Sequence, residues 1–316
     1  MKEREILEIR HEYTKAIREF FYKGDYLEVE TPSLVKTSPP DPHIDPVEAW
    51  VGKKGPFYLH TSPEVHMKRL LGFGRDRIFQ ICKVFRVEEL EEIHNVEFTM
   101  LEWYREGTYE EAMKEVEALV CFAANALGRA DRARFEPPFA VYDLDRLFVE
   151  KTGVDPFPLD RDALVKAMGE RGFRGIDERD EWSDLFFKLL IQEVEGAIRD
   201  ERPYFIKDWP QAIPTMAKSR AGGKVERFEL YINGVEIANG YTELIDPVEQ
   251  RARFLKSNLE RVKLGKKEFP PDETFLEDLS SLTGSYTGVA LGMDRLLMSL
   301  LGLKKIEEVM IHRFRV

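Results

Sequence analysis

Hydrophobic spacing switches between helical and strand periods along the chain. Ile9, Tyr13, Ile17 and Phe20 recur at helical intervals and predict an amphipathic helix over 5–23, stopped by Gly24. Residues 26–32 predict a short strand closed by Pro32. Five prolines, with Ser38, Gly52 and Gly55, interrupt any pattern in 36–56 and predict a loop. Ser62-Pro63-Glu64 reads as a helix start, with Ser62 as N-cap and Pro63 in the first helical position. That helix would run through His66, Lys68 and Leu71 to Gly72. Residues 78–86 and 96–105 are rich in β-branched and aromatic side chains and predict two strands. The polar, acidic stretch 88–95 joins them as a long hairpin loop. Helices are predicted over 109–127, 160–172, 183–200 and 247–264. Alternation on both sides of Asn233-Gly234 predicts a tight hairpin over 228–237. From Gly288 a glycine-bounded strand runs into a helix over 296–301. The segment 130–222 carries no motif and reads as a possible helical insertion.

Composition narrows the class. The chain has 316 residues, 43% of them hydrophobic, with 21 Phe, 11 Tyr and 4 Trp. That is enough apolar material for a sizeable core and excludes wholesale disorder. The longest greasy stretch, 296–303, is broken by Ser299 and Gly302, so no membrane span is predicted. No apolar signal-peptide core follows the basic-acidic N-terminus. The two cysteines, Cys82 and Cys121, give no disulfide framework and no cysteine-based zinc site. A soluble protein of a reducing, cytoplasmic compartment is expected. The net charge of −11 argues against a generic nucleic-acid binder.

Three places could carry chemistry. A two-residue turn at Asn233-Gly234 sets Tyr231 opposite Glu236 and residue 229 opposite 238. Glu229, Tyr231, Glu236 and Ala238 would then share one face. Two carboxylates there repel unless a cation lies between them, and Mg²⁺ on a nucleotide would serve. A solvated outer face is the other reading of that spacing. In the second strand, Phe98, Met100, Glu102 and Tyr104 share a face. A carboxylate between Met and Tyr suits either an exposed edge or a pocket for an ammonium group. Arg86 and Glu88 share a face where their strand ends, which is also how ordinary surface pairs look. Arg295 lies in the first turn of the last helix, where a cation opposes the helix dipole unless an anion is shared with the helix N-terminus. There is no Walker A loop, no Gly-x-Gly-x-x-Gly after a strand and no Gly-x-Ser-x-Gly.

In order, these pieces resemble the class II aminoacyl-tRNA synthetase core. Residues 26–32 behind a long helix are similar to motif 1. Phe85-Arg-Val-Glu-Glu with His94-Asn-Val-Glu-Phe-Thr-Met-Leu-Glu-Trp-Tyr104 is similar to motif 2, and Gly288-Val-Ala-Leu-Gly-Met-Asp-Arg295 to motif 3. The second of these and Glu236-Ile-Ala-Asn-Gly-Tyr-Thr-Glu-Leu244 resemble the lysyl type. The resemblance implies an α+β fold: a mixed, mainly antiparallel sheet flanked by helices. The helix ahead of motif 1 begins within the first ten residues, so the resemblance implies no anticodon-binding OB domain before it. That pattern resembles the truncated lysyl-synthetase paralogues, which act on elongation factor P. Thr61-Ser-Pro-Glu-Val-His-Met-Lys-Arg-Leu-Leu71 and residues 285–292 resemble them too.

The resemblance also implies roles. Arg86 would hold the α-phosphate of ATP and Arg295 its γ-phosphate end. Phe98 would stack on adenine, with Glu88, His94 and Asn95 around the nucleotide. Glu229 and Glu236 would hold Mg²⁺, and Glu229 would also belong to the ATP site. Glu64, Glu102, Tyr104, Asn239, Tyr241 and Glu243 would surround lysine or (R)-β-lysine. Ala290 stands where lysyl synthetases usually have Gly, a methyl that can reshape selection by roughly 1–3 kcal/mol. A homodimer through the first helix and Pro32 is implied, with elongation factor P rather than tRNA as main acceptor.

Overall fold

The structure is a computed structural model and describes residues 3–87, 92–128, 131–198 and 202–311. An eight-stranded sheet organises the chain. From edge to edge its strands are Leu27–Glu28, Ile78–Phe85, Glu97–Glu106, Tyr286–Gly292, Val235–Thr242, Arg227–Ile232, Tyr204–Lys207 and Ala140–Asp143. Only the two edge pairings are parallel. The five pairings between them are antiparallel. The expected mixed, mainly antiparallel α+β architecture is therefore present.

Strand alternation gives the sheet two unlike faces. Phe79, Leu101, Trp103, Phe228, Leu230, Val289 and Leu291 point to the larger core. Helices Glu3–Lys23, Tyr109–Ala126 and Met293–Leu300 cover that face with Tyr13, Ile17, Phe21, Val116, Leu119, Leu296 and Leu297. The intervening residues line a cavity on the other face. Asp294 locks the last helix in place: its buried carboxylate accepts from Arg10 Nη1 at 2.7 Å and from the Thr99 amide at 2.7 Å. Two strands of the sheet come from the segment 130–222. Its helices Leu144–Thr152, Arg161–Glu170 and Trp182–Leu189 bury a second core with Tyr204, Ile206 and Trp209.

Several boundaries differ from expectation. The stretch 36–56 is not wholly loop. Val47–Val51 and Lys54–Leu59 form a three-stranded sheet with Leu34–Val35. Pro56 is tolerated there because the register shifts between Ala49 and Val51. The helix after Pro63 spans Glu64–Leu71, and Pro63 rather than Ser62 is its N-cap. The helix expected over 183–200 ends at Leu189 and continues as a π turn Leu190–Val194 and a 3-10 turn Glu195–Ala197.

Candidate active site

A cavity of about 660 Å³ opens over the polar face of the sheet. Phe98, Met100, Glu102 and Tyr104 line its floor from one strand, as period-two spacing requires. Gly288, Ala290 and Gly292 enter from the neighbouring strand. Ala290 pairs with Glu102 on one side and Asn239 on the other.

The hairpin contributes through a bulge. Tyr231 pairs with Glu236 as expected, but the register then shifts and Glu229 pairs with Asn239 rather than residue 238. The expected face of Glu229, Tyr231, Glu236 and Ala238 is thus corrected at its last member: Ala238 and Ile237 both join the core. Beyond the bulge the phase is reversed. Asn239, Tyr241 and Glu243 therefore face the same cavity as Glu236.

One end of the cavity suits phosphates. Arg86 follows the strand Ile78–Phe85, its Nε donating to the Thr61 carbonyl at 3.2 Å and its guanidinium 5.3 Å from the Phe98 ring centre. Arg295, in the first turn of helix Met293–Leu300, donates to the Ile93 and Glu236 carbonyls at 3.3 and 3.2 Å. His94 and Asn95 line the same end. Asn95 is buried and donates to the Glu97 carbonyl at 2.6 Å, and among the described residues its Oδ1 has no partner. Glu88 lies outside the described residues.

Glu229 and Glu236 share this region but differ sharply. Glu229 is buried and accepts from Arg227 Nη2 at 2.5 Å and Tyr231 Oη at 2.7 Å. Burial foremost, and then the nearby Glu236 charge, push its carboxyl up to about 7 against the pull of Arg227. Glu236 is 41% exposed and meets Arg295 only at 3.8 Å. Among the described residues no group of three or more His, Cys, Asp or Glu could hold a metal ion. Two hard carboxylate oxygens fit a Mg²⁺ that completes its shell with phosphate and water.

The opposite end is acidic and buried. Glu102 and Glu243 are buried, and Glu64 approaches them from helix Glu64–Leu71. Tyr104 Oη donates to Glu102 Oε1 at 2.6 Å, and Tyr241 donates to Glu64. Among the described residues, Glu102 Oε2 and Glu243 Oε1 have no hydrogen-bond donor, and neither does Asn239 Oδ1. Unpartnered buried acceptors on this scale are costly unless a ligand satisfies them. Burial, then repulsion from Glu64, raises Glu102 well above its ordinary range. Burial against the pull of Lys68 leaves Glu243 at about 8.

Sequence reading missed two of these groups. Lys68 is the internal cation of the acidic end, at helical i+4 spacing from Glu64 and 2.6 Å from it, and it also pairs with Glu243. Arg227 sits two residues from Glu229 on the same strand face, its guanidinium 4.4 Å from the Trp209 ring centre. The Arg227 spacing was a usable signal.

The fold, the three motif segments and the two-ended cavity define a class II synthetase catalytic core. The family model described as tRNA synthetases class II (D, K and N) matches residues 1–313, and the chain belongs to that family. Within it, the chain is similar to proteins named elongation factor P–(R)-β-lysine ligase. The relative from Vibrio atlanticus (strain LGP32) is 35% identical over 312 residues, covering 96% of this chain and 94% of that protein. The Proteus mirabilis (strain HI4320) relative is 38% identical, covering 93% and 90%. That of Vibrio cholerae serotype O1 (strain ATCC 39315 / El Tor Inaba N16961) is 38% identical, covering 93% and 91%. Among the described residues no helix is long and apolar enough to cross a membrane.

Proposed function

We propose that this chain activates (R)-β-lysine with ATP and transfers the β-lysyl group to a lysine side chain of elongation factor P. The observation that carries the reading is the cavity's division into a cationic end and a buried acidic end. The names of its relatives supply the acceptor and the β-amino acid.

The amino acid's amines lie against Glu64, Glu102 and Glu243, where the donor-free oxygens of Glu102, Glu243 and Asn239 accept their N–H groups. Ala290 narrows the wall between Glu102 and Asn239. The substrate carboxylate then points toward the phosphates and attacks the α-phosphorus in line. A new P–O bond forms, the bond to the bridging oxygen breaks, and pyrophosphate leaves with its electron pair. Arg86 stabilises the charge on the α-phosphate and Arg295 the leaving end, while Phe98 stacks on adenine and His94 and Asn95 border the nucleotide. Glu229 and Glu236 would hold Mg²⁺, which supplies charge neutralisation to the triphosphate. The acceptor ε-amine attacks the acyl-adenylate carbonyl, giving an amide and AMP. Leu7 and Tyr22, exposed along the first helix, support a homodimer through that face.

Glu102→Gln tests the acidic end. The variant weakens discrimination for diamino acids by roughly 10–100-fold, because a buried ammonium loses its counter-charge. Pyrophosphate exchange with lysine and an analogue lacking the terminal amine measures this; unchanged selectivity removes Glu102 from the pocket.

The pH dependence follows from Glu243. Below about 8 its carboxyl is largely protonated, and a bound ammonium must displace that proton. The KM for the amino acid at saturating ATP therefore falls as pH rises toward that value, by at most about tenfold per unit for one proton. A flat profile would remove this titration from binding.

A further inference from the structure

The acidic end contains a cation of its own. Lys68 is 1% exposed, and its Nζ lies 2.6 Å from Glu64 Oε1 and in contact with Glu243 Oε2. Its ammonium also lies 5.3 Å from the Tyr241 ring centre. The groups facing it are Glu64 on its own helix, Tyr241 and Glu243 from the hairpin strand and its extension, and Glu102 and Tyr104 from strand Glu97–Glu106. None of the chemical steps above uses this group. An isolated buried ammonium would be severely destabilising, so its retention requires the carboxylates beside it.

We infer that Lys68 is a positioning residue that sets the charge of the amino-acid pocket: it neutralises one of three carboxylates and leaves two for the two amines of a diamino acid. The geometry gives it two tasks. It ties Glu64, on a helix, to Glu243, at the end of a sheet strand, so both carboxylates are held at one wall. It also eases the ionisation of Glu243. Burial alone would neutralise Lys68, but Glu243 and Glu64 outweigh it and hold the ammonium charged; reciprocally, Lys68 opposes the upward push of burial on Glu243. Without that ammonium, Glu243 loses its counter-charge and burial holds its proton to higher pH. An incoming diamine would then have to expel a proton held more tightly. The inference rests on the reading that these carboxylates hold the substrate's amines.

Lys68→Met tests it by pyrophosphate exchange across pH. The expected result is an acidic limb of kcat/KM for the amino acid displaced upward by about one unit or more. KM for the amino acid at neutral pH rises about tenfold or more, while KM for ATP stays unchanged. Lys68→Arg, which keeps the charge, returns the limb toward its original position. A variant with the original limb and amino-acid KM overturns the inference, as does a loss that falls equally on ATP and amino acid. Should Lys68→Met fail to fold, the double variant Lys68→Met/Glu243→Gln removes the uncompensated charge together with the cation. Its amino-acid KM then lies below that of Glu243→Gln alone, which keeps the extra positive charge, with ATP binding intact; an amino-acid KM no lower than that of the single variant overturns the inference. Failure of the pocket reading itself is seen separately, as unaltered diamine selectivity in Glu102→Gln.

Discussion

Replacing Arg86 by Ala abolishes ATP–pyrophosphate exchange while the chain keeps its fold. Arg86 is fixed just beyond a strand by its amide, which donates to the Val96 carbonyl at 3.0 Å, and its Nε reaches the Thr61 carbonyl. Its guanidinium lines the cavity beside the aromatic ring of Phe98. A preorganised charge aimed at a developing oxyanion is worth on the order of 10²–10³ in rate. Among the described residues its removal costs one long hydrogen bond to the Thr61 carbonyl and the Phe98 ring contact, and a change at such a position moves stability by about 1 kcal/mol or less. Exchange assays and a thermal melt check the two halves together. Near-normal exchange refutes the role given to Arg86.

Gly288→Ala closes the acidic end. A Cβ at this position would overlap the Glu243 carboxylate and the Tyr104 ring. Neither neighbour can retreat easily, since Tyr104 is buried and bonded to Glu102 and Glu243 is held by Lys68. Overpacking of about 1–3 kcal/mol falls on the groups that meet the substrate's amines. The amino-acid kcat/KM drops by about a hundredfold, and nucleotide binding at the other end persists. Separate titrations with ATP and with the amino acid distinguish this from general unfolding. Gly240 makes a useful comparison. A Cβ there would meet the Phe228 ring at 2.6 Å on the core side, so its substitution strains packing without narrowing the pocket.

Much of the cavity floor was legible because a strand encodes its faces simply. Phe98, Met100, Glu102 and Tyr104 alternate with Leu101 and Trp103, and the structure puts the first set in the cavity and the second in the core. The turn at Asn233-Gly234 was equally plain, since both residues adopt the left-handed conformation it requires. The bulge beyond it was not. No glycine or proline marks Ile237 or Ala238, and period-two counting from Glu236 puts Asn239, Tyr241 and Glu243 on the wrong face. Only the resemblance to the lysyl type brought those residues to the site. The prolines of 36–56 misled in the opposite direction: Pro56 lies where pairing is irregular, so two real strands survive around it. That region borders the cavity mouth through Pro39, Asp41 and Ile44. It is held there by Arg261, which donates to the Asp41 carbonyl at 2.6 Å and to Asp45 at 2.7 Å. Those contacts span over 200 residues of chain, and no local pattern announces them. Lys68 was hidden differently. Its spacing from Glu64 is that of a common surface pair, and only tertiary packing places the pair inside.

Incubating the chain with ATP, (R)-β-lysine and elongation factor P, and then weighing the intact acceptor by mass spectrometry, bears most directly on the central claim. The acceptor gains a single β-lysyl group on one lysine only when ATP is present; the gain is lost in Arg86→Ala and slowed about a hundredfold in Gly288→Ala. An unmodified acceptor alongside efficient lysylation of tRNA would contradict that claim.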